Sequence, residues 1–515
     1  MPAPAKRPNI LFITSDQQRG DCYGFAGRKV RTPHLDQLAA DGTHFSACIT
    51  PNLVCQPSRA SILTGMLPLT HGVIDNGVDL PPATGALGFA AALAARGYDT
   101  AFIGKAHFST GNTFGPTGTP ECRNSSERFP PAWQGPYMGF AHVELMALGH
   151  LFRHQPPTVP LAGRHYERWL FSRRAALEVF DLWKSETRPG TGAAQTWRSG
   201  LPAAWHTSTW CADRAIDYLR GHGRDKPFCA WVSMPDPHHP FDCPEPWASL
   251  HHVDEVDLPV EAGKDLDRRP WWHRASLESA PVGGDAAAQK FRATLSRAPD
   301  QTEPQLREMI ANYYGMISLI DFSVGRILSA LADRGLEEDT IVVYSTDHGD
   351  LLGDHGLYLK GPTAYEGLLR VGLIVRGPSV PAGKRIDDPV STLDLAATFA
   401  ELGGASLSPQ AQSRSLVPVI AGRETREAAF SEWNVHESRC GVPLELRTVR
   451  GRHWKCSIEL RSGAGELYDL ANDPHEMRNL YDDPSGAAMR KRAEDAIGSR
   501  PGPVLAERLP IVGMA

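Results

Sequence analysis

The sequence predicts an α/β fold with a large, mostly parallel sheet between helices, followed by a smaller α+β subdomain with a short antiparallel sheet. Three observations carry this. Short continuous apolar runs, the pattern of strands covered on both faces, alternate with stretches of helical periodicity. Four of those runs are followed, directly or nearly so, by Asp16, Lys105, His238 and Asp347. From about residue 420 the texture changes to closely spaced short strands.

Taken in order, Asn9 to Thr14 reads as the first strand and ends in Ser15-Asp16-Gln17-Gln18. Thr32-Pro33 opens a capped helix. Cys55-Gln56-Pro57-Ser58-Arg59 introduces a short helix: Pro57 fits its first turn, and Gly65 fits a left-handed stop. Cys55 is thus placed just ahead of the helix, near its unpaired N–H groups, where anions bind. A loop from His71 to Gly77 follows, then an alanine-rich helix from Phe89 to Arg96. Tyr98 to Gly104 is the second strand, with Lys105-Ala106-His107 at its end.

From about Ser109 to Pro202 the chain is rich in Gly, Pro, Trp and His, with short periodic pieces such as Glu167 to Leu182. This reads as an insertion beside the site that shapes substrate choice, or as a cover for the sheet edge. Trp210 to Gly221 is helical. Pro227 to Met234 is the third strand and runs into Pro235-Asp236-Pro237-His238-His239-Pro240. A second irregular stretch covers about Ala248 to Asp300. Gln305 to Arg334 reads as one long helix, and Thr340 to Ser345 as the fourth strand, ending in Thr346-Asp347-His348-Gly349-Asp350. Leu368 to Arg376 is the fifth strand and Ser391 to Leu402 a helix. Short strands at Ala429–Trp433, Arg447–Val449, His453–Ile458 and Glu466–Leu470 precede a closing helix from Gly486 to Ile497. The expected division is a large unit over 1–420, with insertions at about 109–202 and 250–300, and a subdomain and tail over 421–515.

Over 515 residues the formal net charge is −6, which argues against broad binding to nucleic acid or an acidic membrane. An anionic substrate then needs a local positive pocket. No apolar core of signal-peptide length follows Met1 to Arg7, and no run reads as long enough to span a bilayer. The nine Cys are scattered without paired spacing, which points to reduced thiols and the cytoplasm. The tail from Arg500 to Ala515 is expected to reach a neighbouring subunit of a homo-oligomer.

Ligands of open α/β sheets bind at the carboxyl ends of the strands, and Asp16, Lys105, His238 and Asp347 all fall there. Asp16, Gln17, Asp347 and His348, at two such ends, make a divalent-metal set.

The pattern Cys-x-Pro-Ser-Arg at Cys55 to Arg59 resembles the signature of the type I sulfatases of the alkaline phosphatase superfamily, in which the Cys is oxidised to formylglycine. Gly465 to Leu470, with Asp473-Pro474-His475-Glu476 and Asn479-Leu480, resembles the C-terminal subdomain of the same family. The resemblance implies an alkaline-phosphatase-like sandwich and one divalent ion held by Asp16, Gln17, Cys55, Asp347 and His348. Many sulfatases carry Asp-Asp and Asp-Asn at the two metal places. Asp16-Gln17 and Asp347-His348 are instead similar to phosphonate monoester hydrolases and choline sulfatases. An imidazole suits calcium poorly, so manganese stands beside calcium.

Lys105 and His107 fit the family's Gly-Lys-x-His, His238 fits Pro-His-x-Pro with His239 pointing elsewhere, and Lys360 stands where the family has its late catalytic lysine. Asn76 matches a position that contacts the ester oxygens. By the same resemblance, a hydrated formylglycine attacks the sulfur of a small-molecule sulfate monoester. The metal, Arg59, Lys105 and Lys360 hold the anionic oxygens, His238 or Lys360 protonates the leaving alkoxide, and His107 is the base that lets sulfate leave. Maturation then needs a formylglycine-generating enzyme as partner.

Rival readings are a phosphonate monoester or phosphodiester hydrolase with the same site, and a choline-sulfate enzyme using the insertion's Trp133, Tyr137, Trp169, Trp197, Trp205 and Trp210. A hydrolase using unmodified Cys55 and a metal-binding pseudoenzyme complete the set. The last predicts loss of Cys55, Arg59 or Lys360, and all three are present.

Overall fold

The computed structural model describes residues 7–146, 164–283, 286–505 and 508–513. Among these, eight strands form one sheet: β1 (Asn9–Ser15), β2 (Thr43–Phe45), β3 (Asp99–Gly104), β4 (His142–Leu145), β5 (Phe228–Ser233), β6 (Thr340–Thr346), β7 (Leu373–Arg376) and β8 (Lys384–Ile386). Their spatial order is β8-β2-β7-β6-β1-β5-β3-β4. All run the same way except β7, which is antiparallel to both β6 and β2. β1 is central, with Ile10 opposite Cys229 of β5 on one side and Ile341 of β6 on the other.

Successive residues of a strand face opposite sides, so the apolar run of β1 serves two cores. Ile10 and Phe12 face a layer that includes Ala60, Ile62 and Leu63 of the Cys55 helix and Leu395 and Phe399 of a later one. Leu11 and Ile13 face Leu35, Trp210, Ile216, Ile320 and Val324. This is the helix–sheet–helix sandwich expected.

Several elements depart from expectation in instructive ways. The fifth strand is only Leu373–Arg376, because Glu366–Leu369 coils into a helical turn. The first N–H of that turn is taken by the Glu476 carboxylate at 2.7 Å, a partner over a hundred residues away. The long helix is Glu303–Asp333, opened by a capping box between Thr302 and Gln305. By length and apolarity this helix could cross a membrane, contrary to the expectation that no run is long enough. However, 72% of its most apolar window is buried inside the protein, which accounts for the composition. The piece expected over Glu167 to Leu182 is two helices, His165–Phe171 and Ala176–Lys184.

The C-terminal strands are β9 (Ala428–Val435), β10 (Leu444–Gly451), β11 (Trp454–Glu459) and β12 (Gly465–Asp469), an antiparallel meander in chain order. One face packs on the helix Ala487–Gly498. The other presents Trp433, Leu446 and Tyr468 to Ile49, Leu53 and Val54, immediately ahead of Cys55. The described part of the tail lies on its own chain: Leu505 N–H donates to Leu69 O and Val512 N–H to Gly77 O, each at 2.7 Å. All nine cysteines are buried and unpaired with one another.

Candidate active site

The four central strands β6, β1, β5 and β3 are adjacent and parallel, so their carboxyl ends share one edge. Asp347, Asp16 and Lys105 stand directly after β6, β1 and β3, and the loop after β5 brings His238. The helix Cys55–Thr64 points its N-terminus at the same edge. Cys55 is its first residue rather than the one ahead of it, after an extended Val54. Gly65 closes the helix at φ 69°, donating to Ser61 O at 2.8 Å. Asn76 Oδ1 takes the N–H of Gln56 at 3.0 Å, satisfying one of the first-turn donors.

Four potential ligand atoms, one each from Asp16, Cys55, Asp347 and His348, lie within 4.8 Å of one another, all buried. Cys55 Sγ is 3.0 Å from His348 Nε2 and 3.7 Å from Asp16 Oδ1. His348 Nδ1 lies 2.8 Å from Gly349 O; that contact assigns the proton to Nδ1 and leaves Nε2 a lone pair facing the cluster. Asp347 Oδ1 accepts from Gln17 N–H at 3.1 Å and from His348 N–H at 2.9 Å. Gln17 holds a left-handed φ of 66°. Its amide nitrogen reaches Asp350 and, at 3.0 Å, His239 Nδ1, while its Oε1 is buried without a hydrogen-bond partner. Two carboxylates, an imidazole lone pair, a sulfur and an orphaned amide oxygen are a donor set that fits a divalent cation.

Cations surround this cluster. Arg59 is fully buried: Nε donates to Asp347 Oδ2 at 2.8 Å, Nη2 to Asp16 Oδ2 at 3.2 Å, and Nη1 to Lys105 O and Ser233 Oγ at 2.7 Å each. Lys105 Nζ is 2.5 Å from Asp16 Oδ2. Lys360 Nζ is 3.0 Å from Cys55 Sγ and 2.8 Å from His238 Nε2. Burial alone would push the Asp16 carboxyl up, but Lys105 and Arg59 hold it well below the usual range. Burial and the Asp16 carboxylate likewise oppose a Cys55 thiolate; Lys105, Lys360 and, when its ring is protonated, His348 outweigh them, so the thiol is held well below its ordinary value.

His107 sits at a left-handed φ of 52°. Its N–H and those of Phe108 and Ser109 all go to the Glu121 carboxylate. Its Nδ1 is buried without a hydrogen-bond partner, and burial lowers the imidazole's pKa against the opposing contact with Cys55. His239 turns to Gln17 and stacks on His238 with ring centroids 4.1 Å apart.

The structure thus gathers Asp16, Gln17, Cys55, Arg59, Lys105, Asn76, His107, His238, Asp347, His348 and Lys360 at one sheet edge. Sequence reasoning missed three supports: Ser233, which fixes Arg59; Asp350, which orients Gln17; and Glu121, which shapes the backbone at His107. Ser233 and Asp350 stand at strand ends and could have been found by the same rule. Glu121, inside the first insertion, had no local signal. Of the insertion's aromatics, Trp210 is core, and Trp133, Tyr137, Trp169 and Trp205 pack against the two core layers instead of forming a cage.

A parallel sheet that gathers charge around one helix N-terminus in this way is the architecture of alkaline-phosphatase-like hydrolases. Within that class the match narrows. The family model described as sulfatase matches residues 8–405, and one described as N-sulphoglucosamine sulphohydrolase, C-terminal, matches 353–499. The chain belongs to the sulfatase family and is a hydrolase. It is 29% identical over 512 residues to the uncharacterized sulfatase YidJ of Escherichia coli (strain K12), covering 96% of this chain and 86% of that protein. It is 28% identical over 531 residues to the multifunctional alkaline phosphatase superfamily protein PehA of Trinickia caryophylli, covering 96% and 95%. The phosphonate monoester hydrolase of Agrobacterium radiobacter shares the fold with a TM-score of 0.75 at 26% identity, covering 96% of this chain and 95% of that one.

Proposed function

We propose that this protein hydrolyses a small-molecule sulfate monoester with residue 55, matured from Cys to formylglycine, as nucleophile beside one divalent ion. The observation that carries the reading is the placement of Cys55 Sγ, at a helix N-terminus, 3.0 Å from both His348 Nε2 and Lys360 Nζ. Formylglycine, once formed, supplies a hydrated aldehyde whose second hydroxyl spares the enzyme a stable sulfated ester. The ion, held by Asp16, Gln17, Asp347, His348 and residue 55, supplies Lewis-acid polarisation of the ester. We read it as calcium or manganese, and His348 favours manganese.

The chain's own groups divide the remaining work. Four of the five N–H donors of Arg59 are taken by Asp347, Asp16, Lys105 O and Ser233. Arg59 therefore acts as a positioning residue for both carboxylates more than as a direct clamp on the ester. Lys105 and Lys360 hold the anionic oxygens and offset charge that develops in the transition state. Asn76 has its Oδ1 committed to Gln56 and offers its Nδ2 to the ester. His238 Nδ1 lies 2.5 Å from His239 O, which leaves Nε2 to accept from Lys360. The Lys360–His238 pair is then the route by which a proton reaches the leaving alkoxide. His107, kept neutral by burial, is the base for release of sulfate.

The Asp16-Gln17 and Asp347-His348 pairs and the likeness to a phosphonate monoester hydrolase support a second reading, hydrolysis of phosphonate monoesters or phosphodiesters at the same site. Rates on 4-nitrophenyl sulfate and on a 4-nitrophenyl phosphonate ester separate the two: a higher kcat/KM on the phosphonate overturns the first. Mass spectrometry of the Cys55 peptide, after co-expression with a formylglycine-generating enzyme, should show the aldehyde. Iodoacetamide inactivation with no aldehyde would favour an unmodified cysteine. We further propose a division of the chain near residue 420 and a cytoplasmic setting; the latter rests on cysteine spacing alone.

A further inference from the structure

A cleft of about 70 Å³, room for a few water molecules, opens beside Lys360. Its walls carry Lys264, Arg297 and Arg439, and no carboxylate of the described residues lines it. Three features make it a site for negative charge.

First, its cations are poorly neutralised. Arg297 donates to the carbonyls of Leu277, Ser276 and Ser279 at 2.8–2.9 Å, which fixes the guanidinium without cancelling its charge. Among the described residues no carboxylate lies within ion-pair distance of it. Just beyond the wall Arg292 is 6% exposed, and among the described residues its one hydrogen bond is a long one, 3.4 Å, to Asn76 O. Burial, with Arg439 close by, pushes the Arg292 guanidinium down to about 10. Arg439 does have a carboxylate, Asp75 at 2.7 Å, and Lys264 has the largely exposed Asp300. Four lining cations, Lys264, Arg297, Lys360 and Arg439, thus face two carboxylates, with Arg292 beyond the wall. Second, Thr363 lines the cleft, is 3% exposed, and its Oγ1 is buried without a partner. A buried hydroxyl without a partner is uncommon and is satisfied by an acceptor. Third, the cleft shares Lys360 with the ester site, so what fills it belongs beside the alcohol half of the substrate. Lys264, Arg292 and Arg297 all come from the second insertion, which supplies none of the residues gathered at the sheet edge.

We propose that this cleft receives a second anionic group, a carboxylate, sulfate or phosphate on the leaving alcohol, so that the substrate class is a monoester of an alcohol that is already negatively charged. The proposal rests on the sulfatase reading for the identity of the first anion. Its physical basis is that Arg297, half-buried and lacking a counter-charge, gains from a charge-assisted hydrogen bond.

The test uses binding, so that it does not depend on turnover. Phenyl sulfate and the 2-, 3- and 4-sulfooxybenzoates are titrated calorimetrically into the full-length, metal-loaded Cys55→Ala protein. At least one sulfooxybenzoate is expected to bind about tenfold more tightly than phenyl sulfate, the order of one good charge-assisted contact. Lys264→Gln and Arg297→Gln, each in the Cys55→Ala background, are expected to shrink that ratio several-fold. If Arg297→Gln fails to fold, Lys264→Gln decides. Equal affinities, no binding of any ester, or a preference that survives in every folded variant overturns the proposal. Benzoate is the control for a separate effector: if adding it raises phenyl sulfate affinity to that of the linked compound, the substrate class is wrong. Phenyl sulfate hydrolysis by the matured enzyme is measured in parallel. Hydrolysis with equal affinities removes the cleft and leaves the sulfatase reading; a dianion preference without hydrolysis does the reverse.

Discussion

Two buried polar clusters, both tied to the loops after β6, follow opposite rules. At the sheet edge, ligand atoms of Asp16, Asp347, Cys55 and His348 turn toward one another, and Arg59, Lys105 and Lys360 stand outside them. Between the second insertion and the C-terminal sheet, carboxylates meet basic side chains directly. There Arg269 holds Asp265, Lys455 holds Glu476, Arg450 holds Glu366 at 3.2 Å, and His273 lies 3.3 Å from Glu466. The second cluster pairs cations with carboxylates and ties the second insertion and the turn at Glu366 to the C-terminal sheet. The first brings like groups face to face, which a low-dielectric interior penalises unless a cation sits among them. Buried charge by itself therefore does not mark a site; its arrangement does.

Mutations can break or sharpen this contrast. The largest effect belongs to Cys55→Ala, expected to lower sulfatase turnover on the order of 10⁴-fold or more while the urea unfolding midpoint stays near wild type. Full turnover in that variant would refute the nucleophile assignment. Next, Lys455→Met strands Glu476 and should reduce unfolding free energy by about 3–5 kcal/mol with metal content unchanged. A loss under about 1 kcal/mol would remove the distinction between the clusters.

A third pair tests the electrostatics through pH. His206 lies 3.3 Å from Asp236, and burial, which disfavours the imidazolium, is outweighed by Asp236, raising its pKa to about 9. The folded value lies above the unfolded one of about 6.5, so the stabilisation is fully present below pH 6.5 and fades as pH rises through 9. Its size is on the order of 3 kcal/mol. The stability gap between wild type and His206→Gln, measured by urea melts from pH 6 to 10, should shrink accordingly; a gap that is flat with pH refutes the assignment.

Asp347→Asn comes next, with metal affinity expected to fall about 10–100-fold by analogy with altered ligand spheres. Unchanged metal after dialysis would count against the ligand set. The smallest effect is Gly65→Ala. At φ 69° a side chain strains the helix stop, and its Cβ would meet Ser413 Oγ at 2.4 Å, so a loss of about 1–2 kcal/mol is expected in thermal melts.

Much of the site was legible because its signals are local. Asp16, Lys105 and Asp347 announce themselves by following apolar runs, and Cys55 by a helix start and stop within eleven residues. The ends of the long helix were legible to within two residues, since apolar residues at helical spacing run along nearly all of it. The shortened β7 was not, because the Glu476 carboxylate that caps the preceding turn comes from the loop after β12, over a hundred residues on. Glu121 and Arg292 were hidden for the same reason. Each acts on backbone brought near by folding, and the helix Ala286–Leu295 that carries Arg292 gives no local sign of the loop it docks on.

By itself, then, the sequence determined the kinds of elements, their order, and the side chains at their ends, because periodicity, caps and turn residues act over a few positions. Only the tertiary structure decided that β6, β1, β5 and β3 lie side by side and point the same way. That adjacency carries Asp347 next to the N–H of Gln17 across 330 positions. It also decided where the second insertion comes to rest. Neither outcome follows from local preference, since strand neighbours and loop docking are chosen by which apolar faces can be buried together across the whole chain.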